Sequence, residues 1–203
     1  IKVLHNVVIE RATLSPTLFN KFADYIYSIS GIRFQESKNY FLASKLDFRR
    51  KELNLASIDE YYTFLRRQTP TSPEIKLLLN EVTINETFFY RNQSQLDSFN
   101  KDILMEVLTE KRKKGDKSLK IWSAASSTGD EAYTMVLDIL EKNLHREFNV
   151  QIVGTDISQK ALNTANEGIY KKYAIRNIPP LLLRKYFTVI DEYTYKLNDD
   201  VKK

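Results

Sequence analysis

The chain has 203 residues, 31 Lys and Arg against 26 Asp and Glu, a formal net charge of +5 and no cysteine. That length suits one large domain or two small ones with a real core. The missing cysteines exclude disulfides and thiolate metal sites, and with only His5 and His145 to offer imidazole no metal is expected. No run reaches the roughly 18 apolar residues of a spanning helix, so no membrane insertion is expected. The opening IKVLHNVVIERATLSP is too broken by charge for a secretory leader, and a cytoplasmic protein is the simple reading. The modest positive charge suits an acidic partner without demanding nucleic acid.

In chain order, Ser15-Pro16 is a helix cap with a first-turn proline, and Leu18, Phe19, Phe22, Tyr25, Ile26 and Ile29 recur at helical spacing until Gly31. A second helix is predicted from about Ser37 to Leu53, and Ser57 with Glu60 forms a capping-box pattern for a third. TPTSP at 69–73 breaks the chain and is the expected domain boundary. Helices follow from Pro73 and over about 93–113. The pattern then becomes strand (SLKIWSAA), helix (DEAYTMVLDILEKNL), strand (NVQIVGTDI) and helix (SQKALNTANEGIY), the alternation of a doubly wound parallel sheet. LLLRKYF reads as a short helix and FTVIDEYTYKLNDD as strands. The basic run EKRKKGDKSLK also contains Glu110 and Asp116, and reads as a solvated helix end.

In open parallel sheets, ligands bind beyond the carboxyl ends of the strands. The first strand ends in SSTGDE, which has one glycine, no dinucleotide fingerprint and no Gly-Lys-Ser/Thr. Asp130 and Glu131 there would repel a pyrophosphate. A cationic nucleoside without phosphate fits better, and S-adenosylmethionine carries an ammonium that a carboxylate could bind. Asp156, at the tip of the second strand, suits ribose hydroxyls because a carboxylate accepts two hydrogen bonds from a vicinal diol. Spacing alone leaves other nucleosides open, and Asp130 by itself reads as an acid complementing the helix start.

IWSAASSTGDEAYTM, IVGTDISQKALNTANEGIY and the upstream NEVTINETFFYR together resemble the cofactor motifs of the CheR-type chemoreceptor glutamate methyltransferases. GIRFQESKNYFLASKLDFRR is similar to that family's small N-terminal domain. The resemblance implies an α + α/β protein: an all-helical domain over 12–70, a connecting segment with a pocket motif over 71–92, and a Rossmann-like class I methyltransferase domain over 93–203. It also implies that Glu131 takes the methionine ammonium and Asp156 the ribose. Asn85, Thr87 and Arg91 would line the pocket near the methyl, with Arg91 orienting the substrate carboxylate, as a planar guanidinium can. For Asn85 and Thr87 the competing reading is helix capping, and for Phe88, Phe89 and Tyr90 it is core packing. The family's Glu-Glu-Pro is Asp130-Glu131-Ala132 here. Its later motifs, and the small β-subdomain of some members, are expected to have no counterpart before Lys203, so the C-terminal part of the second domain is expected to be absent.

On the second helix Lys38, Lys45 and Arg49 fall on one line beside the apolar face. Stems buried and heads aimed at a groove would suit an acidic partner, and the resemblance implies the methylation helices of chemoreceptors; the alternative is internal pairing with Glu36 or Glu52. The implied activity is methyl transfer from S-adenosylmethionine to receptor glutamate carboxylates. Two alternatives remain: a non-catalytic signalling module of the same ancestry, and a methyltransferase acting on nucleic acid or a small molecule.

Overall fold

The computed structural model describes residues 13–202. His5 and the expected domain start at residue 12 lie outside the described residues. The chain divides into two compact units between Thr83 and Ile84.

The first unit is helical. Helix α1 (Pro16–Ser30) starts where Ser15 Oγ accepts the Leu18 N–H at 3.3 Å, and it ends at Gly31, whose φ of 74° is a left-handed conformation that favours glycine. A 3₁₀ turn over Glu36–Lys38 leads into α2 (Asn39–Glu52). Asn39 pins that entry by bonding both the N–H and the carbonyl of Leu14 through its side-chain amide, at 2.8 and 3.0 Å. Helix α3 (Ile58–Leu65) begins at Ser57, whose Oγ accepts the Glu60 N–H, while Glu60 reaches back to the N–H of Ala56. Phe19, Phe22, Ile26, Leu42, Leu46, Tyr61, Leu65, Ile75 and Leu78 form one buried core.

The break at 69–73 lies inside this unit. Ser72 caps α4 (Pro73–Val82), accepting the Ile75 N–H, and α4 buries Ile75, Leu78, Leu79 and Val82 in the helical core. Proline, serine and threonine make a linker and a helix cap look alike in sequence. The apolar stripe that follows makes this one a cap, and residues 71–83 belong to the helical unit.

Packing of α4 on α2 also corrects the reading of the basic stripe. Arg49 is buried and makes a two-pronged bond to Glu74, Nε to Oε1 at 3.1 Å and Nη2 to Oε2 at 2.7 Å. The Tyr61 hydroxyl donates to the same Glu74 Oε1 at 2.7 Å, and burial raises the Tyr61 phenol well above its ordinary range. Lys45 pairs with Glu81 at 3.1 Å, whereas Lys38 is exposed. Arg49 is therefore part of the core and is not a partner-facing cation. Helical periodicity identifies a face without saying which neighbour covers it.

In the second unit, α5 (Gln93–Ser98) and α6 (Leu104–Lys114) are joined through a π-helical stretch, Phe99–Ile103. That stretch holds Asn100, whose amide donates to Asp138 Oδ2. Strands β1 (Ser118–Ala124) and β2 (Asn149–Thr155) pair in parallel, Ser118 opposite Asn149 through Ala124 opposite Thr155. They are linked by α7 (Asp130–Glu141) in a strand–helix–strand crossover. Leu119, Ile121, Val150 and Ile152 share one face, which packs with Leu104, Leu108, Ile139 and Phe148. Trp122 and Val153 lie on the other face and are exposed. Helix α8 (Gln159–Glu167) follows β2.

Beyond α8 the expected short helix over LLLRKYF and the strands over FTVIDEYTYKLNDD form, but the strands build a small sheet that was not expected. Strand β3 (Ile169–Lys171) pairs with β5 (Thr194–Leu197), which pairs with β4 (Phe187–Asp191), giving a separate antiparallel sheet in the order β3-β5-β4. A small β-unit is thus present before Lys203. Its first strand has only three residues, and in sequence Ile169 and Tyr170 read as the tail of the preceding helix. The short helices α9 (Lys172–Ile175) and α10 (Pro180–Tyr186) lie between its strands. Phe89, Tyr170 and Phe187 meet edge to face, with centroids 4.9 Å apart for Phe89–Tyr170 and 5.4 Å for Phe89–Phe187, in the core of this region.

Removing one member of a buried ion pair strands the other, at a cost of about 3–5 kcal/mol. We expect Arg49→Ala to lower stability by that order in denaturant unfolding. Stability within the error of the native chain would show that the Glu74 carboxylate finds other partners.

Candidate functional site

The C-terminal ends of β1 and β2 are adjacent, because Ala124 lies opposite Thr155. From β1 the chain enters α7 through a turn in which Ala125, Ser127 and Gly129 all have positive φ, at 56°, 49° and 85°. Two of these residues carry side chains, so the turn stores backbone strain on the order of 1–3 kcal/mol at each. Hydrogen bonds hold it. The Ser126 N–H donates to the Thr155 carbonyl at 2.9 Å, and the Ser127 N–H donates to Asp156 Oδ2 at 2.8 Å.

Asp156 joins three segments. Its Oδ1 accepts the Ser158 N–H at 2.8 Å at the start of α8, so both carboxylate oxygens are fixed by backbone donors. Ser158 Oγ accepts the Asn85 side-chain amide at 3.1 Å, and Ser127 Oγ donates to the Asn85 carbonyl at 2.9 Å. Asn85 is therefore stitched to both turns. The segment it begins is locked further at Tyr90, whose φ is 55° and whose N–H donates to Thr134 Oγ1 at 3.2 Å; Thr134 Oγ1 in turn donates to the Asp130 carbonyl in α7.

Asp130 and Glu131 have opposite environments. Asp130 is fully buried; one oxygen accepts from the Thr128 hydroxyl, the other has no partner, and burial raises its carboxyl above the usual range. Glu131 is exposed, with Oε1 accepting the hydroxyl of Ser123 from β1 at 2.7 Å. Only Glu131 can meet a ligand. Thr87 is half-buried in the pocket segment, and exposed Arg91 donates to the Glu86 carbonyl at 2.7 Å. Phe89 and Tyr90 are buried, while Phe88 remains partly open.

The structure thus ties Asn85 and Asp156 together and sets Glu131 at the adjacent strand end. Ser127 and Ser158 are the connecting residues that sequence reasoning missed as part of the site. Ser158 caps α8, and the left-handed Ser127 gave no local signal. Gly129 gives α8 room to approach the turn. A Cβ there would lie 2.9 Å from the Ala165 Cβ of α8 and 3.1 Å from the Tyr133 ring. Gly154 similarly admits the Ser126 hydroxyl, 2.8 Å from where its Cβ would be.

A carboxylate has about four lone-pair positions. The two backbone donors leave each Asp156 oxygen with acceptor capacity, and they fix its orientation. That arrangement fits a ribose diol, and an exposed carboxylate at the neighbouring strand end fits an ammonium. The residues present therefore fit an S-adenosyl ligand on donor and acceptor chemistry.

Two family models match the chain. The one described as CheR methyltransferase, SAM binding domain, covers residues 85–203, and the one described as CheR methyltransferase, all-alpha domain, covers 17–83. Curated relatives include chemotaxis protein methyltransferase 2 of Vibrio cholerae, 34% identical over 94% of this chain and 65% of the relative. The chemotaxis protein methyltransferase of Borreliella burgdorferi is 34% identical over 88% of this chain and 63% of its own length. Chemotaxis protein methyltransferase 2 of Pseudomonas aeruginosa is 31% identical over 83% and 57%. The chain therefore spans somewhat less than two thirds of the length of these relatives.

Gly129→Ala combines a left-handed conformation with a contact closer than van der Waals distance, so we expect a loss of about 1–3 kcal/mol in stability. Thermal unfolding of the variant measures it. An unchanged midpoint would mean that α8 can retreat from the turn without cost.

Proposed function

Because the chain belongs to the CheR methyltransferase family, we propose that it binds S-adenosylmethionine at the ends of β1 and β2 and methylates glutamate side chains of chemoreceptors. The observation that carries this reading is the Asp156 carboxylate, held by two backbone N–H groups at the strand tip beside exposed Glu131.

In this reading Asp156 accepts the ribose hydroxyls and Glu131 the methionine ammonium. Asn85, fixed between Ser127 and Ser158, and half-buried Thr87 line the wall near the reacting methyl. When bound, the cofactor supplies an electrophilic methyl on a cationic sulfur. A glutamate carboxylate oxygen would take that methyl as the C–S bond breaks, with the electron pair left on sulfur. No proton moves, so the chain needs no general base and acts by positioning and electrostatics. Arg91 orients the incoming carboxylate through its planar donors.

Receptor recognition through α2 then involves exposed Lys38 and, to a lesser degree, Lys45, since Arg49 is occupied in the core. The setting would be cytoplasmic, on the acidic methylation helices of chemoreceptors. The reaction removes a negative charge from the receptor and yields S-adenosylhomocysteine.

Calorimetry with S-adenosylmethionine and S-adenosylhomocysteine, on the protein translated from the full reading frame, tests the reading. Both are expected to bind, and Asp156→Ala is expected to weaken them at least about tenfold by leaving the ribose hydroxyls without their acceptor. Tritiated methyl should appear on receptor glutamates as base-labile ester. A protein that binds neither ligand is not a methyltransferase of this kind, and unchanged affinity in Asp156→Ala would move the pocket elsewhere.

A further inference from the structure

The segment that carries Arg91 is bound to α9 by a backbone hydrogen bond, Phe89 N–H to the Ala174 carbonyl at 2.9 Å. This brings Arg176, directly after α9, against the pocket segment. Its guanidinium carbon lies 3.4 Å from the centroid of the Phe88 ring and 3.6 Å from that of Tyr173. The two rings meet edge to face at 72°, with centroids 6.1 Å apart. The Tyr173 hydroxyl donates to Glu86 Oε1 at 2.8 Å, which fixes the ring and occupies the acid of this cluster. Arg176 itself donates to the Tyr173 carbonyl.

Arg91 approaches the same Phe88 ring, with its guanidinium carbon 5.8 Å from the centroid. Two exposed guanidinium groups thus address one aromatic ring, and each is steadied by a carbonyl. Among the described residues neither pairs with a carboxylate. A cation held against aromatic faces keeps its remaining N–H donors directed outward and loses less rotamer freedom on binding than a mobile surface arginine. Like charges kept this close favour an anionic ligand between or across them.

We propose that Arg176 is a second carboxylate-binding residue at the mouth of the site. Together with Arg91 it selects an acidic polypeptide that presents another carboxylate one helical turn from the reacting one. Side chains at i and i+4 on a helix are about 5–6 Å apart at Cβ, a spacing that suits two guanidinium groups sharing one ring. The identity of the reacting carboxylate rests on the methyltransferase reading, whereas the requirement for a second acid rests on Arg176.

The test is fluorescence anisotropy with the protein from the full reading frame. The probes are a labelled helical peptide with two glutamates four residues apart and the same peptide with one glutamate replaced by glutamine. The native protein is expected to prefer the first by roughly tenfold, the scale of one charge-assisted hydrogen bond. Arg176→Gln should abolish the preference while leaving S-adenosylhomocysteine affinity unchanged, and Arg176→Lys should restore part of it. A native protein without preference, or an Arg176→Gln protein with the full preference, overturns the proposal. So does a lysine variant no better than glutamine, since that outcome leaves only a packing role. Intact preference in a protein that binds no S-adenosylhomocysteine would sink the methyltransferase reading and spare this one.

Discussion

Two backbone N–H groups on one carboxylate hold the candidate site together. Asp156 takes the Ser127 N–H from the turn after β1 and the Ser158 N–H from the start of α8. Without that anion, Ser127 would have no compensation for its left-handed φ, and the two turns would lose their common anchor. Asn85 then attaches to the same pair of serines, so the upstream segment inherits its place from Asp156. A site tied in this way is organised before any ligand arrives, which lowers the ordering cost of binding.

Desolvation divides like residues into different roles. Asp130 and Glu131 are neighbours in sequence, but the first helical position of α7 points inward and the second outward. The buried acid is pushed toward its neutral form and stays with Thr128, and the exposed acid faces solvent. The same division separates Arg49 from Lys38 on α2. Arg49, closed over by α4, becomes half of an internal pair with Glu74; Lys38, beyond the reach of α4, stays in water.

Much of this was legible in the sequence because it depends on local chemistry. Ser15 and Ser57 announce helix starts, and an aspartate after an apolar run marks the tip of β2. Tertiary packing is not local, and the errors fall there. Nothing near Arg49 says that Glu74, 25 residues away, will meet it. A three-residue strand such as Ile169–Lys171 has too little alternation to stand out, so the small sheet emerges only when β5 pairs with it. Ser127 is invisible for a different reason: its conformation is imposed by Asp156, 29 residues later.

Trp122 is the only tryptophan in the chain. Its indole is largely exposed on β1, and its N–H donates across the strand pair to Thr155 Oγ1 at 2.9 Å, one residue before Asp156. The chain thus carries one tryptophan, alongside its twelve tyrosines, wired to the strand tip where ribose recognition is proposed. Occupancy of that tip, or any covering of the sheet face on which the indole stands, becomes readable from the colour and quenching of one emission band without any label.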